Sequence, residues 1–241
     1  MAVHDSVGST GRWRIGRLEL RGGPVVLAAA AVLLLTIAVA VTLVRMRAGF
    51  LVRGDQSIEL DANRAVLASH PLLTVARALG TVGSSLVRWV IAGVALLALA
   101  WRRQWRTAGW LAAAFLGGLL VTNGCRLAVD RPRPRLPHPV QPNPGGASFP
   151  SGHAMGSAVL FGALFVLAAA LLPRALRIAL GALVALLVAA IGASRVLVGL
   201  HFTSDVITGL VLGVAWLTLV TAAYPPWPDG WLRRSRPGER A

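Results

Sequence analysis

Ser194-Arg-Val-Leu-Val-Gly-Leu-His-Phe-Thr-Ser-Asp205 joins two apolar runs, Ile178–Leu197 and Thr203–Tyr224. It sets three hydrophilic side chains, Arg195, His201 and Asp205, at the boundary of segments long enough to enter a bilayer, where charge is costly and usually functional. His201 and Asp205 are four residues apart and share a face on a helix. A carboxylate there keeps one imidazole nitrogen protonated and leaves the other as a nucleophile or base. Arg195 adds a planar fork of donors suited to phosphate. Taken alone, the stretch reads equally well as a polar cluster tying two helix ends together.

Composition sets the frame. The chain has 241 residues, 56% hydrophobic and 14% charged, with mean hydropathy +0.68, too apolar for a soluble domain and typical of a polytopic membrane protein. One compact domain is expected. The formal charge of +15 is carried by arginine alone, because no lysine occurs. With so little polar chain to form a nucleic-acid surface, that charge is assigned to the flanks of membrane spans, and nucleic acid is not an expected partner. The single cysteine, Cys125, excludes an intrachain disulfide and a cysteine-built metal site, and reads as a small apolar helix residue.

Six apolar segments are expected to cross the membrane: Pro24–Val44, Ser85–Ala100, Ala108–Leu127, His153–Leu172, Ile178–Leu197 and Thr203–Tyr224. The expected fold is therefore an all-α, six-span bundle over residues 24–224, between basic tails at 1–23 and 225–241. The first run exceeds a secretory core and no convincing cleavage site follows, so it reads as a retained span. The segment from Arg45 to about Gly83 reads as a loop containing a short amphipathic helix at the interface. The tails and the two turns Trp101–Arg106 and Pro173–Arg177 hold 13 of the 24 arginines, which points to cytoplasmic termini. Trp101, Trp105, Trp110, Trp227 and Trp231 are expected at the inner interface.

The opposite side then carries a proline-rich loop, Ala128 to Gly152, ending in Pro150-Ser-Gly-His153 at the start of the fourth span. Ser151 and Gly152 present backbone N–H groups at a helix N-terminus, a geometry that attracts anions, and glycine allows close approach. Ser-Gly-His by itself is also an ordinary capped helix start. His4, His70 and His138 read as loop residues.

Together these segments resemble the type 2 phosphatidic acid phosphatase family, membrane lipid phosphatases related to vanadium-dependent haloperoxidases. The family signature is Lys, six residues, Arg-Pro; Pro-Ser-Gly-His; then Ser-Arg, five residues, His, three residues, Asp. Here the second and third elements are intact, at Pro150–His153 and at Ser194-Arg195, His201 and Asp205. The first reads Arg126, six residues, Arg133-Pro134, with arginine in place of lysine. Arginine keeps the charge with a bulkier head, and Arg131 is a neighbour that could share its task. Asp130 is expected to be structural.

The resemblance implies a site and a mechanism. Arg126, Arg133 and Arg195, with the Ser151 hydroxyl and Gly152 amide, would bind the phosphoryl oxygens. His201 would attack phosphorus to form a phosphohistidine, Asp205 would hold its tautomer, and His153 would protonate the leaving oxygen. No metal or other cofactor is expected, since guanidinium groups supply the positive charge. The implied partner is an amphiphilic lipid phosphate in the cell membrane, with undecaprenyl diphosphate ranked slightly ahead of phosphatidate, diacylglycerol diphosphate and phosphatidylglycerol phosphate. The site would face the extracytoplasmic side. Two other readings stand beside this one: another enzyme on the same scaffold, such as a lipid phosphotransferase or haloperoxidase, and a non-catalytic lipid or anion transporter.

Overall fold

Long runs of Ala, Leu, Val and Ile, interrupted by serine, proline and glycine, dictate helices with clear starts. The computed structural model describes residues 13–15, 18–20, 23–46 and 49–227, and within them eight helices form the bundle. They are α1 (Gly23–Arg45), α2 (Gly49–Ala68), α3 (His70–Val82), α4 (Ser85–Trp101), α5 (Trp105–Val129), α6 (Gly152–Ala169), α7 (Arg174–Leu197) and α8 (Thr203–Ala223). Serine hydroxyls of Ser69, Ser84 and Ser151 accept from the backbone N–H three residues on and so cap α3, α4 and α6. Pro173 precedes α7, where its missing N–H costs nothing. Ahead of the bundle in the chain, β1 (Trp13–Ile15) and β2 (Leu18–Leu20) pair antiparallel with Arg14 opposite Glu19, a feature not expected of the basic tail.

The protein is a multi-pass membrane protein. Helices α5 to α8 are each long and apolar enough to cross a bilayer; Val26–Thr42 of α1 and the 17-residue α4 are apolar but shorter. The expected loop between the first two spans is instead two helices, α2 and α3, bent by 115° at Ser69. They qualify as a membrane crossing only as a pair. Their polar face is turned inward, with Asp55, Glu59 and Asn63 buried, which explains why hydropathy alone read this segment as interfacial.

At the centre, α6 packs against α4, α5, α7 and α8. Its contact with α8 is closest where α8 carries Gly209 and Gly213: a methyl group at Gly213 would lie 2.8 Å from Ala158 Cβ and 2.9 Å from the Met155 carbonyl oxygen. Small residues at this spacing let helix backbones approach in an apolar medium. At Gly209 the atom approached is the Ser151 carbonyl oxygen, 2.8 Å from such a methyl, so this packing also sets the start of α6 against the start of α8.

Trp101 and Trp105 are exposed at the end opposite that junction, as expected of interfacial indoles. Trp110 departs from that expectation. It is fully buried among Leu111, Val159, Leu217 and Val220, with its indole N–H donating to Thr221 Oγ1 at 3.3 Å. One turn into α5 is already core, and a buried indole needs an acceptor. Trp231 lies outside the described residues. Cys125 is buried beside Met155 and Leu212, an apolar helix position as read from the sequence.

Candidate active site

The proline-rich loop and the α7–α8 turn fold against each other at one end of the bundle. Asp130 ends α5 in a left-handed conformation, φ 44°, which turns the chain out of the helix and makes its role that of a C-cap. Beyond it, the Ser148 N–H donates to the Arg131 carbonyl and the Ser151 N–H to the Asp205 carbonyl, at 2.8 and 3.0 Å. Gly199 supplies the other turn at φ 73°, with Leu136 packed where a side chain would stand. These constraints deliver His201 into the interior, 2% exposed.

The orientation of His201 comes from a group with no side-chain signature. Its Nδ1 lies 2.7 Å from the Ser148 carbonyl oxygen, and because a carbonyl only accepts, Nδ1 carries the proton of the neutral ring. Nε2 therefore holds the lone pair, and it points at Arg133 Nη1, 3.3 Å away. Asp205 lies 3.7 Å from Nδ1, too far for a hydrogen bond, so the tautomer expected from Asp205 is held instead by Ser148. Burial lowers the His201 pKa below its ordinary 6.5, against the opposing pull of Asp205.

Asp205 is fully buried and serves several partners. Its Oδ2 accepts the Phe202 N–H at 3.0 Å, and its Oδ1 accepts from Arg131 Nη1 at 2.6 Å. The other arm of Arg131 reaches Asp55 of α2 at 2.7 Å, while Asp55 also accepts the Ser204 N–H at 2.9 Å. Arg131 is thus fully engaged by two carboxylates, and it stacks over the Phe202 ring at 4.0 Å. This is a structural clamp, which removes Arg131 as a substitute for Arg126 in holding phosphate.

A cavity of about 350 Å³ opens beside His201, walled by Arg126, Arg133, Gly152, His153 and, from α4, Arg88. Phe115, Leu119 and Val159 line it further along the helices. Arg133 is pinned by its Nε to the Gly145 carbonyl and by its Nη1 to the Leu200 carbonyl, both at 2.9 Å. Burial and the adjacent Arg126 lower its pKa without removing its charge at neutral pH. Arg126 differs: its Nε is buried without a partner, and its guanidinium lies where a Gly152 methyl would be, 2.7 Å from Nη2. Glycine at 152 is what admits it. The Gly152 amide, first in α6, has no helical acceptor.

Two expected ligands are placed differently. Ser151 is fully buried; its hydroxyl accepts the Ala154 N–H at 3.5 Å, and its own N–H is engaged by Asp205. Arg195 is not among the residues lining the cavity, because its Nη2 donates to the Ala76 carbonyl of α3 at 2.9 Å and its Nε to Ser194 Oγ at 3.0 Å. The absence of a side chain at Gly80 makes room for that guanidinium.

Sequence reasoning missed four groups. Arg88, 3% exposed in an apolar helix, carried a readable signal, since a charge inside a span is a functional candidate by itself. Asp55 and Glu59 share a helix face at a four-residue spacing, a signal hidden by reading the segment as a loop. The Ser148 carbonyl had none.

In this membrane helix bundle two histidines, His153 and His201, and three arginines, Arg88, Arg126 and Arg133, line one cavity, an arrangement suited to holding a phosphoryl group. A solved chain, the PAP2 type phosphatidylglycerolphosphate phosphatase from Bacillus subtilis, superposes with TM-score 0.66 over 81% of this chain and 94% of that one, at 22% identity. The PAP2 superfamily model matches residues 107–228, and the chain belongs to that family. Decaprenylphosphoryl-5-phosphoribose phosphatase of Mycobacterium tuberculosis is 32% identical over 167 residues, covering 67% of this chain and 85% of the relative. Lipid A 1-phosphatase of Rhizobium johnstonii is 37% identical over 128 residues, covering 46% of this chain and 48% of the relative, so the match spans about half that protein's length.

Proposed function

We propose that this protein is an integral-membrane lipid phosphatase that hydrolyses a phosphate monoester or diphosphate of a lipid through a phosphohistidine intermediate. The observation that carries the reading is Arg126: a guanidinium whose buried Nε has no hydrogen-bond partner among the described residues, over Gly152, in a cavity that both His153 and His201 line. A buried donor left unpaired by the protein is accounted for by an anionic ligand.

In this reading Arg126, Arg133 and the Gly152 amide receive the phosphoryl oxygens. His201 Nε2 attacks phosphorus, forming a P–N bond as the bond to the leaving oxygen breaks. Ser148 and Asp205 stabilise the imidazolium that develops, by hydrogen bond and by charge respectively. His153 gives its proton to the leaving oxygen and then takes one from the water that releases inorganic phosphate. Ser151 shapes the cradle by capping α6. Arg195, held by its Nη2 to the Ala76 carbonyl and by its Nε to Ser194 Oγ, has its Nη1 left to reach a phosphoryl oxygen. The guanidinium groups supply the positive charge, so no metal enters any step.

With α1 and α4 to α8 as six spans, both termini face the cytoplasm and the cavity opens at the extracytoplasmic side of the cell membrane. A lipid headgroup enters there while its chain stays among apolar helices. The relatives named for decaprenyl-linked and lipid A substrates support a bulky lipid, and undecaprenyl diphosphate ranks ahead of phosphatidate on that ground. The test is purified protein in detergent, assayed with chelator present against prenyl phosphates, prenyl diphosphates and phosphatidate. Phosphate release that vanishes in His201→Ala and is blocked by vanadate is expected; release unchanged in His201→Ala overturns the reading.

A further inference from the structure

We infer that Arg88 binds a second phosphate on the leaving-group side of the substrate and thereby selects lipids that carry two phosphates over simple monoesters. The inference rests on the phosphatase reading above and adds to it a residue outside the family signature.

The argument begins on α6. Gly152 and Gly156 are one helical turn apart, about 6 Å along the axis, and face the same way. Each underlies a guanidinium: a methyl at Gly152 would lie 2.7 Å from Arg126 Nη2, and one at Gly156 would lie 2.7 Å from Arg88 Nε. The two arginines thus form consecutive rungs along one wall of the cavity. Arg126 occupies the rung at the helix N-terminus, where the transferred phosphoryl group sits. Arg88 occupies the next rung inward.

Arg88 lies beside the same α3–α4 turn as His153. Its Nη1 donates to the Gly83 carbonyl, and a methyl at Gly83 would sit 3.4 Å from the His153 ring. His201, by contrast, faces Arg133 and Ser148. In-line attack by His201 drives the leaving group toward His153, and so toward Arg88. Beyond that rung the cavity wall becomes apolar, with Phe115, Leu119 and Val159. Read along the shaft, the order is phosphoryl site, second cation, hydrocarbon. A prenyl diphosphate presents its groups in that order.

The electrostatics point the same way. Arg88 is 3% exposed, its Nε has no hydrogen-bond partner, and its two other contacts are the Gly83 carbonyl and Ser85 Oγ, at 3.4 Å for the latter. No carboxylate pairs with it among the described residues. A buried, unneutralised cation is strongly disfavoured unless a ligand completes it. A monoester ends in an uncharged chain at this depth, whereas the inner phosphate of a diphosphate supplies the missing anion. Transfer of the outer phosphoryl group to His201 Nε2 breaks the bridging P–O bond, and the departing lipid monophosphate carries the electron pair to the Arg88 rung. Water then releases inorganic phosphate from His201.

The test compares kcat/KM of the full-length protein in detergent for three substrates with one prenyl chain: the monophosphate, the diphosphate, and a prenylphosphoryl sugar phosphate whose second phosphate is a diester. Wild type should favour one or both two-phosphate substrates, and which one identifies the spacing of the anions. Arg88→Gln should reduce that preference about 10- to 100-fold, as expected for loss of a charged hydrogen bond, with Arg88→Lys intermediate. Equal proportional losses on all three substrates, or an unchanged preference, would overturn the inference, because a purely structural role through Gly83 predicts no discrimination. Should Arg88→Gln fail to yield folded protein, Gly156→Ala, which crowds Arg88 Nε, must lower the same ratio, while Gly152→Ala lowers all rates alike. If wild type hydrolyses none of the lipids, the phosphatase reading fails, and thermal shifts decide the second site separately. Stronger stabilisation by a prenyl methylenediphosphonate than by the matched phosphonate, lost in Arg88→Gln, sustains it; equal stabilisation overturns it.

Discussion

At the residue scale the decisive group is His201, whose proposed attack on phosphorus requires a neutral ring with Nε2 unprotonated. Burial depresses its pKa below 6.5, so protonation is deferred to more acidic solution. The acid limb of kcat/KM should therefore fall below pH 6.5, measured as a pH–rate profile; a limb above 6.5 would contradict the burial argument. The same depression gives a stability sign: unfolding allows His201 to take up a proton, so its contribution is lost as pH falls through the ordinary imidazole range. Arg126 stands where the family signature has lysine. Because its Nε has no hydrogen-bond partner among the described residues, Arg126→Lys should keep most of the activity, and Arg126→Ala should lose about 100-fold, as for removal of an oxyanion donor. Equal rates in all three would remove Arg126 from the site.

At the element scale, α2 decides more than its polarity suggested. It brings Asp55 against Arg131 and Ser204, and Arg131 in turn holds Asp205. Asp55→Ala leaves a nearly buried guanidinium half-paired, at a cost of about 3 kcal/mol. Thermal unfolding should register it, and a double-mutant cycle with Arg131→Met should show coupling of about 2 kcal/mol. Coupling near zero would make the clamp irrelevant. The α6–α8 contact is the second element-scale device. Gly213→Leu has no space beside Ala158 and the Met155 backbone, so it should separate the helices and abolish both the thermal transition and activity.

At the scale of the whole molecule, six spans would place the site loops and the α4–α5 turn on opposite faces of the membrane. Cys125 is buried, so an impermeant thiol reagent has little native background. Arg135→Cys, exposed in the proline-rich loop, should be labelled from outside intact cells. Gln104→Cys, exposed in the opposite turn, should be labelled only after lysis. Labelling of both from one side would reject the topology.

The apolar helices and His201 are legible in sequence because both depend on local chemistry: a bilayer demands apolar runs, and a phosphoryl group demands cations and imidazoles; α2, α3 and Arg88 are not read from it. His201 is singled out on those grounds, whereas His153, Arg126 and Arg133 are assigned through the resemblance to the family signature; the tertiary structure brings all four to one cavity. Other assignments depended on distance through space. Only the fold could show that a Ser148 carbonyl, rather than Asp205, holds the His201 tautomer, that Arg195 turns to α3, and that Arg131 belongs to Asp55 and Asp205. Backbone carbonyls carry no residue signature, and a guanidinium on a flexible stem takes whichever acceptor the packing offers. Motif and spacing along the chain therefore determined which residues could be named for the cavity, and packing decided which partner each one holds.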